Sequence, residues 1–427
     1  MANRKKNKQK RTTAKTGQSN HQVQNNSESI TKVKGLDECQ PGQLNFRFQA
    51  SDTWFFRESR PHDSAGANEL GSLFPPPVGS LIGALRTFLG EQINVDWQAF
   101  NKNLGEVHAI DGLDLHAAIG DADHLGKLRL MGPWLCFQGE RLYPVPFYQM
   151  RKESELARLE VGSAIHCDLG VVRLPELPTG CSGYQNFSHA WVTRSGITKL
   201  LNNQLLSPDN DIVFEEQLFF KESRLGIARN NDTRRVIEGK LYQTEHLRFK
   251  DDVSVELDVF GLDALFLNVV PVGHPEVIRL GGEGRMAELQ AEKHFQSLPS
   301  VQECKTDKIV VNFVTHADFN GAMFPENFIQ KEQHGQTVWE GDIKGVRVLI
   351  EAAVIGKAHR EGGWDMKNHR PRAVKSFVPA GSAWFCRVLD KDTNVLQING
   401  QSIGEGTEYG RGQIVIGLWK DNKEVKG

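Results

Sequence analysis

Residues 221–250, KESRLGIARNNDTRRVIEGKLYQTEHLRFK, carry eight Lys or Arg against four Asp or Glu. Interleaved among Arg229, Arg234, Arg235 and Lys240 stand Asn230, Asn231, Tyr242 and His246. Single-stranded RNA asks for this mixture, with cations for phosphates, planar groups for unstacked bases and amides for base edges. A hairpin arm between two strands can present all three, although a solvated charged hairpin has the same composition. A second stretch, GGWDMKNHRPRAVKSFVPAGSAWF at 362–385, sets Lys367, His369, Arg370, Arg372 and Lys375 around a turn stiffened by Pro371. Trp364 there suits base stacking, a subunit contact or the plugging of a domain junction. Phe377, Val378, Trp384 and Phe385 read as core.

Two glycine-rich turns, GGEG at 281–284 and GEGTEYGRG at 404–412, allow close backbone approach and can offer N–H groups to phosphate. Gly281, Gly282 and Gly284 would shape the first. Glu283, Glu405 and Glu408 repel phosphate, so the turns can instead aim Arg285 and Arg411 outward. VIRLGGEGRMAELQAEKHF also imitates a dinucleotide-binding fingerprint, with G-x-G-x-x-A after a strand. Against it, the helix-prone stretch places Glu288, Gln290, Glu292, Lys293 and His294 where a crossover helix wants apolar cover.

Enzymatic readings are few. His62-Asp63 and His316-x-Asp318 lack the partner ligands of a metal phosphohydrolase, and neither H-E-x-x-H nor G-x-S-x-G occurs. The six cysteines are too far apart for a C-x-x-C knuckle and read as free thiols in a reducing cytoplasm. No metal set and no cofactor is expected. Metal-free RNA cleavage needs only one well-placed His, and His246, near Tyr242 and Lys240, is the candidate for it.

The elements that must hold these residues begin at LNFRF, where Leu44, Phe46 and Phe48 alternate with polar neighbours as in a half-buried strand. FPPPVGSLIGALRTFLG follows as a helix, with Ser80 as cap, Leu81, Leu85, Phe88 and Leu89 as its stripe and Gly90 as its end. Within 100–210, treated largely as insertion, KLRLMGPWLCFQGERLYPVPF predicts a hairpin and HAWVTRSGITKLLNNQLL a helix after a strand or turn. VSVELDVFG, DALFLNVV and VIRL then supply a strand, a helix and an edge strand. The order is an interrupted β-α-β-β-α-β. KIVVNFVT, GVRVLIEAAVIG, SAWFCRVL and GQIVIGLW repeat it after residue 301, as a diverged duplication.

A chain of 427 residues with 39% hydrophobic content is expected to divide into domains. Residues 1–40 hold nine Lys and Arg against three Asp and Glu, while the rest holds 42 against 50. Such a basic, apolar-poor start predicts a disordered tail over 1–42, followed by domains at 43–300 and 301–427. An acidic body meets a polyanion only at local patches. No apolar run is long enough for a membrane helix, so a cytoplasmic chain without membrane contact is expected.

Together LFPPPVGSLIGALR, MGPWLCFQGERLYPVPF, RLGIARNNDTR, YQTEHLRF, LGGEGR, GGWDMKNHRPRAVKSFVPAGS and YGRG resemble, in family order over about residues 44–419, the third subunit of the Cmr-type (type III-B) CRISPR effector complex. The resemblance implies a member of the repeat-associated mysterious protein (RAMP) superfamily, an α+β chain of two ferredoxin-like, RRM-like domains with insertions and glycine-rich loops. It implies a noncatalytic role: gripping the 5′ tag of the CRISPR RNA and contacting the large polymerase-like subunit. It also implies starting the row of backbone RAMP subunits, with target RNA met only indirectly. The basic tail departs from the family pattern. On this resemblance the RNA-binding residues would be Arg229, Asn230, Asn231, Arg234, Arg235, Lys240, Tyr242, His246, Gly281, Gly282, Gly284, Arg285 and Arg411. Trp364, Lys367, His369, Arg370, Arg372 and Lys375 would face RNA or a neighbouring subunit. The alternative within the superfamily is a metal-independent endoribonuclease that processes CRISPR repeat RNA.

Overall fold

Period-two alternation puts Leu44, Phe46 and Phe48 on one side of the strand Leu44–Ala50 (β1), and all three are buried in a computed structural model. The structure describes residues 36–58, 69–102, 109–110, 112–365, 370–390 and 393–419. Residues 1–35 of the expected basic tail, His62-Asp63, Lys367 and His369 lie outside the described residues. The described chain enters structure before Leu44, because Leu36–Glu38 pairs with His294–Gln296. The helix Val78–Gln92 lays Leu81, Ile82, Leu85, Phe88 and Leu89 onto β1. Its start differs from expectation: Pro77 holds the capping position and Ser80 sits inside the first turn. Gly90 lies within the last turn, where a side chain would strike the Trp97 ring.

Three further strands complete the first unit: Arg129–Phe137 (β2), Val253–Phe260 (β3) and Met286–Glu292 (β4). They run β2-β3-β1-β4 with every neighbour antiparallel, within a sheet of eight strands. Residues 129–144 therefore belong to the sheet and its hairpin, not to an insertion. β4 also removes the dinucleotide reading, since the residues after the glycine turn form a strand where that fingerprint needs a helix. Ala287, Leu289 and Ala291 face the core while Glu288 points outward, and Pro275–Arg279 closes this edge.

Beneath the opposite face Arg141, 1% exposed, forks onto Asp258 at 2.9 and 2.7 Å and reaches Glu256 at 2.8 Å. Asp258 also accepts from Trp134 Nε1 and Asn45 Nδ2. Every partner in this buried ion pair is hydrogen-bonded, the condition under which such a pair is tolerated.

The second unit carries Lys308–Phe313 (β5), Val346–Val354 (β6), Ala383–Val388 (β7) and Ile414–Leu418 (β8). Their order, β6-β7-β5-β8, is that of the first unit, and again all neighbours are antiparallel. The helices are not repeated. The hairpin of Ile329–Gln333 and Gln336–Ile343 stands between β5 and β6, and a 3-10 turn, Val395–Ile398, between β7 and β8. Among the described residues after 300 there is no α-helix. One face of this sheet packs on the helix Arg194–Leu201 instead, through Ile197, Leu200 and Leu201 against Val310, Phe385 and Val415. With about 15% helix and 45% strand the chain is α+β and mostly sheet. Among the described residues no helix is long and apolar enough to cross a membrane, and all six cysteines are free.

Candidate nucleic-acid interface

The polar excursion at 221–250 is itself regular strand. Phe219–Arg229 and Val236–Phe249 pair from Phe219 with Phe249 up to Arg229 with Val236, and the turn at 230–235 forms the tip. Asn230 builds that turn, its Oδ1 accepting from the backbone N–H of Asp232 and Thr233 at 2.9 and 2.8 Å. Asn230 is thus bound to the backbone, whereas Arg229, Asn231, Arg234 and Arg235 are exposed. Lys240 lies on the second strand of the hairpin. Opposite residues of an antiparallel pair share a face, so Glu222 with His246, Arg224 with Thr244 and Gly226 with Tyr242 form one row. Gly226 is required there because a side chain would land on the Tyr242 ring.

The first glycine-rich turn closes against the base of this row. Gly282 N–H donates to Phe55 O at 2.7 Å, and a Cβ on Gly281, whose φ is +94°, would sit 3.0 Å from the same carbonyl. The turn spends the Gly282 N–H group on the protein. His246, 0% exposed, stacks on Phe55 with ring centroids 5.0 Å apart. Its Nδ1 meets Thr53 Oγ1 at 3.3 Å, and its Nε2 meets Glu283 Oε2 at 3.0 Å and Thr244 Oγ1 at 3.2 Å. Burial pulls its pKa below the ordinary value, against the opposing pull of Glu283. The ring is therefore neutral near pH 7, and a neutral ring that donates from Nε2 to Glu283 accepts at Nδ1.

Beside His246 lies a group of charges that sequence reasoning missed, apart from Arg285. Asp52 meets Arg248 at 2.8 Å, Arg285 at 3.2 Å and Arg224 at 3.4 Å. Glu222 holds Arg224 and Arg248 from the other side, each at 2.6 Å. Burial alone would raise the Asp52 pKa, but hydrogen bonds and charge from Arg248 and Arg224 outweigh it and hold the carboxyl below its usual range. The same two arginines lower Glu222. Glu222-x-Arg224 could have been read as one face of a strand. Asp52 and Arg285 stand 233 positions apart, and no local pattern joins them.

The second glycine-rich turn serves the junction of the two sheets. Leu130 N–H donates to Glu408 O at 2.8 Å, Gly132 N–H to Gln413 Oε1 at 3.0 Å, and Gly412 N–H to His316 O at 2.8 Å. Arg411 turns inward, bonding Glu361 at 2.7 Å and lying 3.9 Å over the Phe377 ring. Glu361 also meets His359, which stacks on His316 at 3.9 Å, and His316, Glu361 and Arg411 line a cavity of about 270 Å³. His316, His359 and Glu361 bring ligand-type atoms within 4.8 Å of one another. With the imidazole planes 1° apart, their in-plane lone pairs run side by side instead of converging on one ion. Arg411 occupies the carboxylate as well.

The described residues around Gly362 form a two-stranded ribbon, His359–Glu361 with Lys375–Phe377 and Trp364 with Pro371. Trp364 is 51% exposed and Arg370 is exposed. Arg372 bonds Ala122 O at 2.9 Å, and Lys375 pairs with Asp318 at 3.2 Å. The structure thus gathers His246, Gly281, Gly282 and Arg285 about the hairpin base, puts Tyr242 further along the same row, leaves Arg229, Arg234 and Arg235 at the tip, and puts Arg411 at the sheet junction.

A family model described as CRISPR-associated protein (Cas_Cmr3) matches residues 46–419. A comparison with curated proteins finds no match. Among solved structures, the chain is similar to one in the Type III-B Cmr-beta complex bound to cognate target RNA and AMPPnP, at 15% identity, covering 80% of this chain and 86% of that one, with a TM-score of 0.42. It is also similar to a chain of the Csm3-Csm4 subcomplex of the type III-A CRISPR-Cas interference complex, at 11% identity, covering 88% and 99%, with a TM-score of 0.36.

Proposed function

The chain belongs to the Cas_Cmr3 family of CRISPR-associated proteins, and from that premise we propose that it is a RAMP-like subunit of a type III effector complex that grips the 5′ tag of the CRISPR RNA. In the same reading it joins the large polymerase-like subunit to the backbone subunits and performs no catalysis itself. The observation that carries the RNA contact is the hairpin 219–249, whose exposed Arg229, Arg234 and Arg235 stand at the tip of a row containing Tyr242. Phosphates and bases of a single strand find charge and a planar ring along one ribbon. The noncatalytic assignment is supported by His246, which is buried with both ring nitrogens engaged and so has none to offer a 2′-hydroxyl. A ferredoxin-like reading of both units is supported by their shared strand order, with a hairpin and a 3-10 turn standing where the second unit would carry its helices.

Photoreactive nucleotides in the 5′ tag of a reconstituted complex test the contact. Crosslinked peptides from 219–249 or 359–377 are expected, and crosslinks confined to other subunits would remove the assignment. Repeat RNA incubated with the purified chain in EDTA should stay intact, whereas cleavage would establish the endoribonuclease alternative. The ribbon is the candidate subunit contact, since an exposed Trp beside Arg is hot-spot composition. Trp364→Ala should weaken the pair with the large subunit even without RNA.

A further inference from the structure

We infer that Asp52 occupies the place of a phosphate, so that the hairpin base is an oxyanion site held closed by the protein's own carboxylate. The inference rests on the proposed RNA contact and names the side chains that would make it. Three guanidinium groups surround this one carboxylate: Arg248 from the second hairpin strand, Arg224 from the first, and Arg285 from the residue after the glycine-rich turn. They come from three separate segments, and what they converge on is a planar anion with two oxygens. A phosphodiester offers the same two oxygens, and the fork of arginine suits either.

Within the directly paired set, Asp52 and Glu222 supply two negative charges to three positive ones, the nearby Glu283 being engaged by His246 instead, and Arg285 Nε is buried with no hydrogen-bond partner. Asp52 is the most exposed member of the group, at 51%, and it sits just before the strand Thr53–Trp54. Glu222, by contrast, is held within the hairpin by its two neighbours. One carboxylate can therefore swing out while the other keeps Arg224 and Arg248 in place. Next in the row, Tyr242 lies on Gly226, so a nucleotide whose phosphate displaced Asp52 would find an aromatic ring on the same face.

Removing the charge of Asp52 should help a polyanion. Asp52→Asn in the full chain, titrated with a fluorescein-labelled single-stranded RNA 12-mer across a salt series, should bind about fivefold more tightly, the effect of one like charge removed at about 4 Å in water. Its log-log salt slope should steepen towards that of one further phosphate contact, roughly 0.7. Arg285→Ala should abolish the gain when combined with Asp52→Asn. Thermal unfolding of each variant checks that the hairpin survives. If Asp52→Asn binds no better than wild type while Arg248→Ala binds worse, Asp52 is a structural clamp and the inference is wrong, with the RNA contact intact. If these variants and Arg234→Ala with Arg235→Ala all bind as wild type, the hairpin is no RNA site and both readings fall.

Discussion

His246 has the residue type of a catalytic base and the surroundings of a structural one. Its ring is stacked against Phe55, its nitrogens are taken by Thr53, Thr244 and Glu283, and burial keeps it neutral. These contacts join the glycine-rich turn to the hairpin, so His246→Ala should cost stability, about 1–3 kcal/mol for the polar groups left unpaired. Target cleavage by the assembled complex should persist, and its loss in a complex that still assembles would return His246 to the chemistry. The sequence singled this residue out as a candidate, and the structure places it in a buried polar cluster beside the hairpin. What the sequence could not supply was exposure, because burial depends on Phe55 and Glu283, which come from opposite ends of the first unit.

At the scale of the element, the hairpin divides into a tip and a base with different work. The tip cations are exposed and outnumber Asp232, the one acidic residue of the 230–235 turn, so the phosphates they meet should register in the salt dependence. Replacing Arg234 and Arg235 by Ala should weaken RNA binding and flatten the log-log slope by about 0.7 for each phosphate no longer neutralised. An unchanged slope would detach the tip from the RNA. Strands were the legible part of this protein. Leu44, Phe46 and Phe48 announced β1 by alternation, and the apolar run at 308–313 announced a strand, which the structure buries on both faces. β4 misled, because Glu288, Gln290 and Glu292 resemble a helix surface unless read in alternation with Ala287, Leu289 and Ala291. The long hairpin was expected as an arm between two strands, but its extent and register were hidden for a related reason: exposed on its outer stretch, it carries too few apolar residues for any period to appear. Pairing over eleven and fourteen residues is fixed there by the turn at Asn230 and by cross-strand partners.

Across the whole molecule, two sheets of one strand order are held together by the second glycine-rich turn. Gly410, at φ +75°, approaches Gly132 so closely that a Cβ would lie 2.5 Å from its carbonyl oxygen. Gly410→Ala should therefore cost about 1–3 kcal/mol in denaturant unfolding. Gly284→Ala, with φ +69° but open space around it, should cost less. Equal losses would show that the contact between sheets is immaterial. The junction is also acid-sensitive. Burial and the charges of His359 and Arg411 push His316 down to about 3 from its ordinary 6.5, so the folded state binds fewer protons than the unfolded one and stability falls as pH drops from about 6.5 towards 3. Burial raises Glu361, but His359 and Arg411 overcome it and hold the carboxyl at about 2, adding a further loss below about 4.5. His316→Gln should flatten the fall between pH 6.5 and 4.5 in urea midpoints; an unaltered fall would assign it elsewhere. Finally, the turn at 404–412 and β8 leave the ribosome after everything they fasten. Until then β5, buried on both faces in the finished protein, has one bare hydrogen-bonding edge, and an open edge invites pairing with another chain. The growing polypeptide thus passes through a window of self-association that closes only when residues 414–418 emerge. Nascent chains stalled with residue 400 just outside the exit tunnel should aggregate or recruit chaperones, while chains released past 419 should not.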